Sequence, residues 1–281
     1  WLVKVQTALL ETGAKHPILF YGTDWLAFGH FVIAVVFVGA LRDPDTTIAE
    51  GINWTVNAGD YWGVAGLHGS GKSDFLMLTG GLMAPRQGRY QFFGGEMPIF
   101  EEARLKERLR LGLVFESGQL FNHLTVAENV ALPLRYHHNL NRNEAAAAVS
   151  ELLECMELAP WAASTPSALG RSWQKRAGLA RALALKPEVL LVDNPLGGLD
   201  PRHVHWWLGF LDQLSKGHRL LQSRPVTLVV TAADFHPWKG HARQFAILRK
   251  HAFAVLGAWA QLEAASEELV RELLTEPRQT E

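Results

Sequence analysis

The chain has 281 residues, 48% of them hydrophobic, and carries 27 Lys+Arg against 28 Asp+Glu for a net charge of −1. That composition supports a sizeable core and excludes a disordered chain. The missing basic excess argues against nucleic acid as a partner. The single cysteine, Cys155, cannot staple the fold, which fits a reducing compartment.

The chain begins at Trp1 rather than Met, so its native start is open. Residues 1–42 form an N-terminal segment with an apolar stretch, Trp25–Leu41, that carries no formal charge. Two readings stand. One is a buried strand around Ile33–Val38 that joins the sheet at an edge, which its β-branched residues favour. The other is a short membrane helix, for which the stretch sits at the lower edge of the ~20 residues a span needs. Mixed charge over residues 1–24, with no cleavage pattern after it, does not fit a secretory signal.

From about residue 43, strand and helix signals alternate. GINWTV (51–56) alternates like a half-buried strand, and Asn57-Ala58-Gly59-Asp60 is a turn. YWGVAG is a short buried strand, and the stretch from Ser73 opens a helix that ends at Gly80-Gly81. RLKERLR (104–110) reads as a solvated helix face. Residues 143–158 read as a helix capped by Asn143, and RAGLARALAL as another, stopped by Pro187. Val189–Val192 and Thr227–Val230 are continuous apolar runs of the kind expected of central parallel strands. Residues 259–275 read as one amphipathic helix before a polar tail. The alternation predicts an α/β fold with a mostly parallel sheet.

Between the strand at 61–65 and the helix lies GLHGSGKS: Gly66, Leu67, His68, Gly69, Ser70, Gly71, Lys72, Ser73, with Asp74 next. The pattern G-x-x-x-x-G-K-[ST] is complete and stands in the strand–loop–helix setting that a phosphate loop requires. Its glycines let backbone N–H groups curl round phosphate oxygens, and the helix N-terminus adds positive potential. Lys72 would reach the β- and γ-phosphates, and the Ser73 hydroxyl would ligate Mg²⁺. Asp193, directly after the Val189–Val192 strand, is placed to hold the same ion. His137-His138 and His203/His205 lack a Cys or carboxylate cluster at ligand spacing and read as ordinary helix or loop histidines. Trp206-Trp207 reads as core packing or as an apolar surface for a partner, with packing favoured. Ser117 and Ser172 have no matching His–Asp arrangement for nucleophilic catalysis.

Taken together, GLHGSGKS, GLVFESGQLFNHLTVAENV (112–130), LGRSWQKRAGLARALALKPEVLLVDNPLGGLDP (169–201) and VVTAADF (229–235) resemble, in order, the motifs of an ABC transporter ATP-binding subunit. The resemblance covers about residues 43–257, with residues 258–281 left as a C-terminal helix and tail. It implies a P-loop NTPase fold with a mostly parallel central sheet, an antiparallel edge and a helical subdomain at about 117–175. It implies ATP and Mg²⁺ as cofactors, and two partners: a second ABC ATP-binding subunit, as homo- or heterodimer, and a membrane permease. It also implies a peripheral place on the cytoplasmic face of the inner membrane. The stretch FESGQLFNHLTVAENVALPLR looks most like the Mla-type phospholipid-transport ATPases, which adds an MCE-type lipid-binding protein as a partner. The ABC resemblance also implies that the region around Glu116–Asn122 faces the permease, with Phe121 or Leu120 docking its coupling helix.

Several positions depart from the family pattern. Where the family has a general-base glutamate this chain has Asn194, and an amide cannot accept a proton at neutral pH. The switch histidine falls at Ala232. The Q-loop glutamine falls at Glu116, which could still bind Mg²⁺. The signature motif is Leu169-Gly170-Arg171-Ser172, whose arginine crowds the approach that glycines permit. Asp74 replaces the threonine usual after the loop serine, and no adenine-stacking aromatic is evident, Phe37 being the nearest candidate. The D-loop aspartate is present as Asp200. A homodimer would carry these defects in both of its sites. Two readings follow: a transporter subunit that binds Mg-ATP with weak or lost hydrolysis, or a non-hydrolysing ATP-binding module that regulates or scaffolds a membrane complex. A DNA-repair or translation ATPase is disfavoured by the lack of tandem copies and of a coiled-coil insertion.

Overall fold

The computed structural model describes residues 52–83, 85, 87–96, 104–249 and 252–274. The apolar stretch 25–41, and Phe37 within it, lie outside the described residues. Among the described residues no helix is long and apolar enough to cross a membrane.

Eight strands are described: β1 (Tyr61–Ala65), β2 (Gln91–Phe92), β3 (Gly95–Glu96), β4 (Leu111–Val114), β5 (Val189–Val192), β6 (Thr227–Ala232), β7 (Gln244–Arg249) and β8 (Ala252–Gly257). Six form one sheet in the order β4-β5-β6-β1-β7-β8. Every pairing in it is parallel except β7–β8, the antiparallel edge. β2 and β3 make a separate small hairpin.

The apolar runs form central strands because both faces of the sheet are covered. On β1, Tyr61 and Ala65 enter one core while Trp62 and Val64 enter the other, as the two-residue pleat requires. β5 divides in the same way, with Leu190 and Val192 on one face and Leu191 on the other.

The helices in chain order are α1 (Lys72–Thr79), α2 (Leu105–Arg108), α3 (Val126–His137), α4 (Arg142–Cys155), α5 (Arg171–Leu183), α6 (Pro201–Lys216), α7 (Trp259–Glu263) and α8 (Glu268–Leu274). α3 opens on a capping box made by Thr125 and Glu128. In α4 the cap is Asn141, not Asn143: the Asn141 side chain accepts from the N–H groups of Asn143 and Glu144. Glu144, three residues on, returns the bond to the Asn141 N–H. Asn143 has Ala146 at that offset and cannot close a box.

Three more expectations change. Residues 52–56 alternate in burial, as a half-buried strand would, yet join neither sheet. Trp54 is held by aromatic packing instead, with ring centroids 5.4 Å from Trp62 and 5.2 Å from Phe75. Residues 104–110 are not a solvated helix face. Only Leu105–Arg108 is helical, Arg104 donates to the Glu96 carbonyl, and Arg110 makes two bonds of 2.7 and 2.8 Å to Glu188. The stretch 259–275 is two short helices, α7 and α8, separated at 264–267. Trp207 is fully buried, while Trp206 stacks on Phe210 and lies under the Arg176 guanidinium, so the tryptophan pair is packing.

Candidate nucleotide site

The strand register gathers the site. Val114 pairs with Val192, Val192 with Val230, and Ala65 with Ala232. The segments leaving β4, β5 and β1, and the end of β6, therefore meet at one edge of the sheet. This is the carboxyl edge, where open α/β sheets bind ligands. Residues 66–74 follow β1, Glu116 follows β4, and Asp193 and Asn194 follow β5. Ala232 is the last residue of β6, buried, a methyl beside the entry to the phosphate loop.

The loop has the backbone that phosphate binding needs. Gly69 and Gly71 lie at φ +75° and +89°, in the left-handed region that only glycine enters freely. Gly71 caps α1 with no side-chain hydrogen bond, leaving that helix end open to an anion. Leu67 and His68 are exposed, and the buried Ser70 hydroxyl has no partner. Lys72 Nζ donates to the carbonyls of Gly66 at 2.6 Å and Leu67 at 2.9 Å, folded across the mouth of its own loop. Burial pushes the Lys72 amine below its ordinary range, and the charges of Asp193 and Glu116 pull it back. Ser73 is exposed on the first turn of α1. Burial and the Asp193 charge raise the neighbouring Asp74 carboxyl.

Thr231 ties the other side together. Its hydroxyl donates to Asp193 Oδ1 at 2.7 Å and accepts from the Asn194 N–H at 3.0 Å. Asp193 is buried and Asn194 sits at φ +40°, so this single hydroxyl fixes a carboxylate and a strained backbone at once. The Asn194 amide points across the site: Nδ2 donates to Glu116 Oε1 at 2.8 Å. The two family departures are thus in direct contact. Open glycines, an uncapped helix end, an orphan hydroxyl and a buried aspartate fit a magnesium-bound nucleoside triphosphate. Lys72 and the loop N–H groups would take the phosphates, and Ser73 and Asp193 the ion, which would neutralise phosphate charge.

Helix α5 holds the loops that carry this pair. Lys175 is buried and its Nζ donates to the carbonyls of Asn194 (2.8 Å), Pro195 (3.3 Å) and Gly197 (2.8 Å). Two turns on, Arg181 donates to the carbonyls of Gly118 and Gln119, both at 2.8 Å. Between them Gly178 meets Gly118 so closely that a side chain on either would collide with backbone. Burial lowers Lys175 to about 8 and Arg181 to about 10, with the Glu116 charge partly offsetting the shift at Lys175.

The remaining expected positions stand apart from this cluster. Leu169 is buried, Gly170 caps α5, Arg171 is its exposed first residue, and Ser172 follows. No hydrogen bond among the described residues joins 169–172 to the phosphate loop. Asp200 caps α6, accepting from the His203 N–H at 3.0 Å, and that bond lowers its carboxyl. His203 Nδ1 lies 3.0 Å from the Arg176 guanidinium. Thr231, Lys175, Gly178 and Arg181 escaped the sequence reading. Thr231 carried one signal, a hydroxyl near the end of a buried strand whose other polar residue is Thr227 at its start.

A model described as "ABC transporter" matches residues 49–197, more than half of the chain. The chain is 32% identical over 231 residues to the intermembrane phospholipid transport system ATP-binding protein MlaF of Escherichia coli strain K12, covering 81% of this chain and 82% of that one. It is 34% identical over 195 residues to the MlaF of Haemophilus influenzae, covering 68% and 74%. Among solved structures, the dimeric post-hydrolysis state of the ATP-binding cassette MJ0796, bound to ADP and Pi, superposes with a TM-score of 0.64 at 26% identity. It covers 73% of this chain and 88% of that one. CbiO1 of Clostridium perfringens, at 23% identity and a TM-score of 0.66, shares the fold. The chain belongs to the ABC transporter family, as an ATP-binding subunit.

Proposed function

We propose that this chain binds Mg-ATP and hydrolyses it weakly or not at all, as the nucleotide-binding subunit of a transporter that moves phospholipid or another lipid. The observation that carries this is the contrast within one site. The loop 66–74, Lys72, Ser73 and Asp193 retain the binding groups, while the position after Asp193 is an amide and the end of β6 is a buried methyl. Removing a general base costs roughly 10²–10⁴ in rate, and removing electrostatic stabilisation adds to that. The likeness to MlaF supports phospholipid as the class of cargo. On the motif resemblance, the subunit would sit at the cytoplasmic face of the inner membrane and work with a second ATP-binding subunit and a permease, and with an MCE-type lipid-binding protein if it is of Mla type. In such a dimer Leu169–Ser172 would face the partner's nucleotide, with Arg171 in place of a glycine and Asp200 beside the interface.

Equilibrium binding of a fluorescent ATP analogue tests the first half. Wild-type protein should bind in a magnesium-dependent way, and Lys72→Ala should weaken binding at least about tenfold, since a charge-assisted phosphate contact is worth about 1.5–3 kcal/mol. Equal affinity in the two proteins would refute the assignment of the loop.

A further inference from the structure

The family pattern places an amide after β4 and a carboxylate after β5. This chain has a carboxylate after β4, Glu116, and an amide after β5, Asn194. The two groups are not independently lost. They touch at 2.8 Å, amide to carboxylate, and so keep one proton-accepting group and one orienting group between them. Glu116 is exposed at the carboxyl edge of the sheet, on the side open to a ligand. Its charge is felt by Lys72 in the phosphate loop and by Lys175 beneath Asn194.

The contact is built from behind. Lys175 holds the backbone of 194–197, Arg181 holds 118–119, and both cations stand on α5, so the two loops are referenced to one rigid helix. Thr231 fixes the Asn194 N–H from the sheet side. That hydrogen bond engages Oε1, and the Glu116 side chain that carries it is exposed.

We propose that Glu116 is the water-activating carboxylate of this site and that Asn194 is the residue that positions it. The proposal rests on the reading that the site takes Mg-ATP. Glu116 accepts a proton from water as the water oxygen forms its bond to the γ-phosphorus. The bond from that phosphorus to the β,γ-bridging oxygen breaks, and ADP leaves with the electron pair. The products are ADP and inorganic phosphate, and Glu116 returns its proton to solvent. The turnover that remains in this chain runs through this carboxylate, and Asn194 provides orientation rather than basicity.

The test is single-turnover phosphate release with purified protein in excess over Mg-ATP, alongside equilibrium ATP binding and thermal melting. Glu116→Gln should lose turnover by about 10²-fold or more, with ATP affinity and melting temperature close to wild type, because the side chain is exposed. Adding Asn194→Glu to that variant should restore turnover, since one carboxylate and one amide again share the contact. Asn194→Ala should lower kcat about tenfold and leave KM unchanged. The proposal is overturned if Glu116→Gln releases phosphate as fast as wild type. It is equally overturned if that variant's loss is in ATP affinity, which would make Glu116 a ligand to the ion. Wild-type protein that binds ATP and releases no phosphate also overturns it, while leaving the reading of a non-hydrolysing subunit intact. Fast wild-type turnover that depends on Glu116 would do the reverse.

Discussion

At the scale of single residues, Thr231 is the group on which most depends. Its hydroxyl is both donor and acceptor, to Asp193 Oδ1 and from the Asn194 N–H, inside a strand otherwise buried by apolar packing. Thr231→Val keeps the shape and removes both bonds, leaving an orphan N–H and a buried carboxylate short of a donor. We expect a loss of about 2–4 kcal/mol in urea unfolding, because buried groups left unpaired cost about 1–3 kcal/mol each. A loss under about 0.5 kcal/mol would show that water replaces the hydroxyl. The phosphate loop was fully legible in the sequence because its chemistry is local: eight adjacent residues build one cradle. The bond from Asn194 to Glu116 was not, because the partners lie 78 positions apart. The two departures could be noticed separately, but only strand order and register bring them together.

At the scale of elements, α5 links the two loops of the site, and α3 anchors the segment beside it. Asn129, buried on α3, accepts from the Phe121 N–H and donates to the carbonyls of Phe121, Leu124 and Thr125. One side chain thus fixes the 121–125 segment, which begins at Phe121, one of the two residues expected to dock a permease. Asn129→Leu should cost about 2–3 kcal/mol in chemical denaturation, since the Phe121 N–H loses its acceptor. It should also speed amide exchange across 121–125, whereas unchanged exchange there would mean the segment is held by other contacts. Strand and helix identities were largely readable, because buried parallel strands are unbroken apolar runs and helices show their caps. The errors have physical causes. Asn141 and Asn143 have the same capping chemistry, and only the glutamate three residues on distinguishes them. The break between α7 and α8 carries neither Gly nor Pro, so nothing local marks it. Residues 52–56 have the alternation of a strand, but pairing is decided by neighbours the segment does not contain.

At the scale of the whole molecule, the buried Lys175 makes stability depend on pH. Its folded value, lowered by burial to about 8, lies below the 10.5 of an ordinary lysine. Between these limits the unfolded chain keeps a proton that the folded chain has released, so Lys175 adds stability as pH rises from about 8 to 10.5. Each unit of difference is worth about 1.4 kcal/mol. The full difference, about 3.5 kcal/mol, is reduced by solvent screening, so the stability of wild type relative to Lys175→Met, measured by urea unfolding, should rise by on the order of 2 kcal/mol across that window. A flat difference would show that the amine is as readily charged in the folded state as in water. The whole chain also sets the biochemical question, since the phosphate loop, Glu116, Asn194 and Ala232 lie on neighbouring strand ends and the proposed weak hydrolysis is a property of all of them together. Steady-state phosphate release by the purified wild-type chain at saturating Mg-ATP addresses this most directly. The account predicts tight nucleotide binding with turnover at least about 10²-fold below the ~10 s⁻¹ typical of enzymes. Sustained release at or above that typical rate would contradict it.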